Sequence, residues 1–301
     1  MSNYDDLFEN QQPQNRSSGE DKPFDKEAWA KAKQQERAEL FDLADTTAAA
    51  IGEEGGELFQ IYLDVQSRFD RYSVTNVLLI MSQYAEATQL RTFEGWKAKG
   101  VNILKGEHHI KILEPGEEYR REDGSVGTAW KVRRVFDVSQ TYERGKSKPA
   151  PKVEERTLLK ALIHRAPVPI QAVDELDGRM GAFYDHAQGT IFVRRGMEAA
   201  DIFRCLSTEL AHAELAAQNP DYERQDAAFQ TYCVSYLLCK KYGVDVSGYS
   251  FQQLPDSFRE ADPQQIREQL TEIADTAKQI SQRMSRVLEQ SKPAKAKGQE
   301  R

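Results

Sequence analysis

The run Thr208-Glu209-Leu210-Ala211-His212 sets a carboxylate and an imidazole three positions apart in a segment with helical apolar spacing. In an H-E-x-x-H helix, two imidazoles four residues apart share a face and grip one Zn²⁺. The glutamate between them polarises the metal-bound water. Glu209 stands at that general-base position and His212 at the second-ligand position. Thr208 stands where the first imidazole belongs, and a neutral hydroxyl is a poor substitute on Zn²⁺. An acidic third ligand would come from the next helix, at the position held by Tyr232, while Glu223 and Asp226 at its start could coordinate only by a different geometry. A site with one strong ligand has no reason to hold Zn²⁺. The expectation is therefore no zinc or other cofactor, His212 being the one donor in register. Glu209 and His212 would persist as a vestigial, hydrogen-bonded polar pair and catalyse nothing. Two alternatives stay open: a core-edge histidine bonded to a neighbour, and a metal-dependent peptidase with an unusual site built from Glu209, His212, Glu214 and Asp226.

A second chemistry is written earlier in the chain, where aromatic residues interleave with cations. The candidates for nucleic-acid contact are Arg68, Arg71, Tyr72, Asn76, Trp96, Lys97, Lys105, Lys131 and Arg133, with Arg91, Phe93, Lys99, Arg134 and Phe136 among them in sequence. Bases stack on rings while cations follow phosphates, which suits single-stranded DNA. Glu114, Glu117, Glu118, Glu122 and Asp123 nearly balance the charge of the same region, and Trp96 or Phe136 could equally be core.

The elements that would position these residues follow from periodicity. Helices are expected from Lys26 through Ala44, over Glu57–Ser67 and Val74–Tyr84, and around Trp96 up to Gly100. Strand character follows at Val101–Leu104, His109–Leu113 and Ala129–Val138, with a hairpin turn at Glu122-Asp123-Gly124-Ser125. Farther on come a short helix at Leu158–His164 and strands at Ile170–Val173, Gly181–Tyr184 and Thr190–Arg194. Helices carrying His212, then Asp226–Tyr242 and Pro263–Gln290, complete the order.

A length of 301 residues favours two domains plus tails, and the fold class expected is α+β. The first domain, 26–141, would hold helices and a small antiparallel sheet, and the second, 157–290, helices and a short sheet. Residues 142–156 read as a linker, and 1–25 and 291–301 as disordered tails. No stretch reaches the roughly 18–20 apolar residues of a membrane span, and the acidic start has no signal-peptide order. Cys205, Cys233 and Cys239 in apolar surroundings read as buried free thiols, so a cytoplasmic location and no membrane partner are expected. The net charge of −7 argues against a whole-protein polyelectrolyte for nucleic acid but leaves room for a local basic groove.

Taken in order, these segments resemble the ArdC-type antirestriction family of plasmids, phages and integrative elements. The resemblance rests on Arg71-Tyr72-Ser73-Val74-Thr75-Asn76-Val77-Leu78-Leu79, Phe93-Glu94-Gly95-Trp96, Val101 to Glu107, and Val135-Phe136-Asp137-Val138-Ser139-Gln140. Phe183-Tyr184-Asp185, Arg195-Gly196-Met197, Glu209-Leu210-Ala211-His212-Ala213 and Tyr236 to Gly243 extend it, covering about residues 27–290. It implies an N-terminal domain that binds single-stranded DNA, joined to a zincin-like metallopeptidase domain. The family pattern has histidine at the position of Thr208 and glutamate at that of Tyr232, so the peptidase half is expected to be a pseudo-metallopeptidase. A host protein gripped by the degenerate cleft is a further possible partner.

Overall fold

A computed structural model describes residues 25–120, 123–143, 153–178 and 180–291. The expected tails at 1–24 and 292–301, most of the linker (144–152) and part of the hairpin turn (121–122) lie outside them. Lys26–Glu36 belongs to a small unit of its own, opened by Asp25, whose carboxylate accepts the backbone N–H groups of Glu27 and Ala28. From Arg37 onward the chain is one compact unit.

The architecture is α+β. Helices α1 (Lys26–Glu54), α2 (Gly56–Arg68) and α3 (Val74–Tyr84) precede β1 (Leu90–Arg91) and the short α4 (Phe93–Lys97). The hairpin β2 (Ile110–Arg120) and β3 (Val126–Asp137) then completes an antiparallel sheet of order β1-β3-β2. After α5 (Glu155–Ile163), strands β4 (Ile170–Val173), β5 (Ala182–Asp185) and β6 (Thr190–Arg194) form a second sheet of order β4-β6-β5, with β4 parallel and β5 antiparallel to β6. Helices α6 (Ala199–Gln218), α7 (Arg224–Tyr242), α8 (Asp256–Arg259) and α9 (Pro263–Gln290) follow. The expected strand at Val101–Leu104 is reduced to a single bridge, Ile103 to Thr141, while β2 runs on to Arg120 because β3 pairs with it across a bulge.

One hydrophobic core runs from Leu40 to Met284, through both halves of the sequence. Phe59 on α2 sits 5.5 Å from Phe229 on α7, 5.5 Å from Phe251 and 5.4 Å from Phe258. Gly56 permits that approach, since a Cβ there would meet the carbonyl oxygen of Phe251 at 1.5 Å. Polar ties reinforce the seam: Lys240 contacts Asp64 at 2.9 Å and Lys241 contacts Asp70 at 2.7 Å. Cys205 is half-buried, Cys233 and Cys239 are buried, and all three are free thiols.

Strand β2 is an edge of its sheet, and α3 closes that edge with side-chain amides. Asn76 accepts the N–H of Leu113 at 2.8 Å and donates to its carbonyl at 2.7 Å. Two residues along, Gln83 accepts the N–H of Lys111 and donates to its carbonyl, both at 2.9 Å. The two amides stand in for a neighbouring strand, satisfying groups that would otherwise be an open edge. At the far end of β3, the fully buried Asp137 accepts from the backbone of Thr88, Gln89 and Ser139, and Gln140 closes a capping box with it. The Asn76 and Asp137-to-Gln140 elements therefore do framework duty.

Candidate functional site

Helix α6 buries Leu206, Leu210, Ala211 and Ala213, and its burial against α7 and β5 turns Glu209 and His212 inward rather than toward a cleft. Glu209 is 5% exposed. Its carboxylate is held in a two-pronged pair by Arg224, Nη1 to Oε2 and Nη2 to Oε1, each at 2.8 Å. Oε2 also accepts the backbone N–H of Tyr184 at 2.7 Å. Burial of the Glu209 charge is thus offset by a guanidinium of matching planar geometry. Arg224 lies over the ring of Phe183 at 4.8 Å, which fixes the cation further.

His212 is 3% exposed and takes different partners. Nδ1 lies 2.8 Å from the Tyr222 hydroxyl and Nε2 lies 3.1 Å from the Thr231 hydroxyl. Thr231 spends its proton on the carbonyl of Ala228, so it accepts from Nε2–H, and Nδ1 accepts the Tyr222 proton. Both nitrogens of a neutral imidazole are therefore used. Burial, then the nearby Arg224 charge, lowers the His212 pKa to about 3. Burial pushes the Tyr222 hydroxyl up to about 12, so it remains a donor. The expected Glu209–His212 hydrogen-bonded pair is not formed: each side chain has its own partners.

The positions of the two missing ligands lie elsewhere. Thr208 donates to the carbonyl of Arg204 at 3.1 Å, and Tyr232 accepts from the backbone of Ser250 at 2.8 Å. Both line a cleft of about 390 Å³ with Cys205 and Tyr249. Glu214 pairs with Arg283 on α9, and Asp226 lines a separate cleft with Glu223 and Glu272. Glu209, His212, Glu214 and Asp226 are thus not brought together. Among the described residues no group of three or more His, Cys, Asp or Glu side chains could hold a metal ion. The donor set does not fit a divalent cation, because His212 has no spare lone pair and Glu209 already carries a counter-cation.

The residues singled out for nucleic-acid contact are dispersed. Asn76 is buried on the β2 edge, and Trp96, 3% exposed, donates Nε1–H to the carbonyl of Phe136 at 2.9 Å. A ring so covered presents no face for stacking, so Trp96 serves as core. Arg68 donates to the carbonyl of Ala85 beyond α3. Arg71 and the half-buried Tyr72 line a cleft of about 920 Å³ between the start of α3 and α9. That cleft also bears Asp70, Glu268, Glu272 and Asp275, against Arg267 and Lys278, which makes it poor for phosphate. Lys97 and Lys105 are exposed on α4 and on the turn before Gly106. Lys131 and Arg133 share one face of β3 with Glu114, which pairs with Arg133 at 2.7 Å.

Residues 52–161 match the family profile described as the N-terminal domain of anti-restriction factor ArdC. This stretch belongs to the ArdC family. Among solved structures, the metal-free crystal structure of antirestriction ArdC protein from R388 plasmid is 18% identical, covers 71% of this chain and 86% of that chain, and gives a TM-score of 0.48. The Mn(II)-bound structure of that protein is 17% identical, covers 74% and 98% respectively, and also gives 0.48. No curated protein matches the chain. Among the described residues no helix is long and apolar enough to cross a membrane.

Arg224, Tyr222, Tyr184 and Thr231 were not singled out from sequence. Tyr222 and Arg224 precede α7 as an ordinary Tyr-Glu-Arg run, and nothing in their spacing from Glu209 marks them as its neighbours.

Proposed function

We propose that the chain is a single-stranded-DNA-binding protein of the antirestriction type, from a mobile genetic element, whose C-terminal half is a peptidase-like scaffold that hydrolyses nothing. The match of residues 52–161 to the ArdC N-terminal domain carries this reading. The scaffold role is supported by the closed centre in α6. A glutamate clamped by Arg224 has no metal-bound water to polarise, and unassisted water with a pKa near about 16 is a poor nucleophile. The two halves act on this view as distinct functional regions built on one core.

Full-length protein should bind a fluorescein-labelled dT oligonucleotide in preference to a duplex, with affinity falling steeply between about 50 and 200 mM salt as counterions are released. Absence of binding at low salt overturns the DNA reading. Elemental analysis of protein purified without chelator tests the other half. Near-stoichiometric zinc or manganese that disappears in His212→Ala overturns the scaffold reading.

A further inference from the structure

The register of the first sheet sorts its cations onto two faces that sequence adjacency conceals. Arg91 pairs with Phe136 and Lys111 pairs with Arg134 across the strands, so these four side chains project from the same face. His109 joins them: its ring lies 6.2 Å from Phe136, edge to face, and its Nε2 accepts from Nε of Arg134 at 3.2 Å. Arg91 in turn stands 5.6 Å over the buried ring of Trp96. Lys131 and Arg133 project from the opposite face, with Glu114 between them.

Resting on the DNA reading above, we propose that the face bearing Arg91, Phe136, His109, Arg134 and Lys111 is the single-stranded DNA platform of this chain. Three features select it. Its cations come from all three strands, so they span the sheet across two inter-strand gaps, roughly 10 Å, and form a track rather than a point. The pairing puts no carboxylate on this face between Trp130 and Phe136, whereas the other face neutralises Arg133 with Glu114. Phe136 and His109 are half-buried rings at the centre of the cationic patch, where a base stacks while its phosphates meet the guanidinium groups. In its hydrogen bond to Arg134 the His109 ring is the neutral tautomer with Nδ1–H outermost, a donor for a base edge or phosphate.

The test uses full-length protein and dT oligonucleotide anisotropy at about 0.15 M salt. There the Debye length of about 8 Å keeps a charge on one face from acting strongly through the sheet. Arg91→Glu and Arg134→Glu should each weaken binding tenfold or more, and Arg134→Gln should lower the slope of log K against log salt by about 0.7. Phe136→Leu keeps the packing volume but removes the π face, so affinity should fall about fivefold or more with the salt slope unchanged. Lys131→Glu and Arg133→Glu should change affinity less than threefold, and unfolding midpoints identify any variant that fails to fold. If wild type binds but the Lys131 and Arg133 variants lose as much as the Arg91 and Arg134 variants, the platform is wrong and the DNA reading stands. If wild type does not bind, the functional reading fails and the platform with it.

Discussion

Acid should destabilise this fold through one histidine, by an amount that can be worked out. His212 is neutral in the folded chain, with Nδ1 accepting from Tyr222 and Nε2–H donating to Thr231. A second ring proton would face the Tyr222 oxygen, break that bond, and add a cation beside Arg224, which is why the pKa falls to about 3. An unfolded histidine titrates at about 6.5. Below that pH the unfolded chain binds a proton that the folded chain refuses, so stability is full above about 6.5 and falls as pH drops toward 3. At pH 5 the unfolded state is favoured by about 1.5 pH units of proton binding, or about 2 kcal/mol. The other titratable groups close to the ring, Glu209, Arg224 and Tyr222, keep their charge state over this range if the Glu209–Arg224 pair holds. Urea unfolding at pH 7.5 and 5.0, for wild type and His212→Gln, isolates the effect. Wild type should lose about 2 kcal/mol more than the variant over this interval. Equal losses in the two proteins would refute the buried neutral imidazole.

Three further outcomes follow from named contacts. Arg224→Ala leaves the buried Glu209 carboxylate without its cation and should cost about 3 kcal/mol in urea unfolding, most of it recovered when Glu209→Gln is added; no recovery would mean the pair is not the source. Asn76→Ala strips the Leu113 backbone of both partners and should cost about 2–3 kcal/mol, with no change in the salt slope of DNA binding, because Asn76 contacts the strand and not phosphate. Trypsin nicking at Arg144, Lys146 or Lys152 should leave the two halves co-eluting on gel filtration, since Phe59 packs into Phe229, Phe251 and Phe258 across the seam; halves that separate without denaturant would show the seam to be weak.

Periodicity made the helices readable: Val74–Tyr84 and Pro263–Gln290 form as their apolar spacing dictates, because local rhythm alone decides them. The second sheet was nearly as plain, with β4 and β6 at the expected residues. Long-range pairing was not readable. Alternation at Val101–Leu104 looks like a strand, but only one bridge partner comes within reach, whereas the polar Glu117–Arg120 stretch becomes strand because β3 lies beside it. The same limit governs the candidate sites. A tryptophan among cations has one composition whether it stacks on bases or fills a core, and its bond to the Phe136 carbonyl decides for core. Arg133 and Arg134 are adjacent letters on opposite faces, a distinction that exists only once the strand and its period of two are fixed.

The centre of α6 shows why losing a metal site takes more than losing ligands. Thr208 and Tyr232 remove two donors, yet the helix still buries Leu206, Leu210 and Ala211, so Glu209 and His212 cannot swing out to water without unpacking it. Left there alone, a buried carboxylate and an imidazole with open nitrogens would each cost several kcal/mol. Arg224 supplies the charge a cation would have supplied to Glu209. Tyr222 and Thr231 supply a donor and an acceptor to His212 in place of a metal's empty orbital. The substitutions in the motif and the partners at 222, 224 and 231 therefore form one arrangement. Returning histidine to position 208 alone should not restore metal binding while Arg224 still holds Glu209. Removing Arg224 alone should destabilise the fold without creating a site. Only the combined change Thr208→His, Tyr232→Glu and Arg224→Ala would free enough donors. A zinc-dependent rise in the melting temperature confined to that triple variant is the expected result, and the same rise in Thr208→His alone would show that Arg224 does not close the centre.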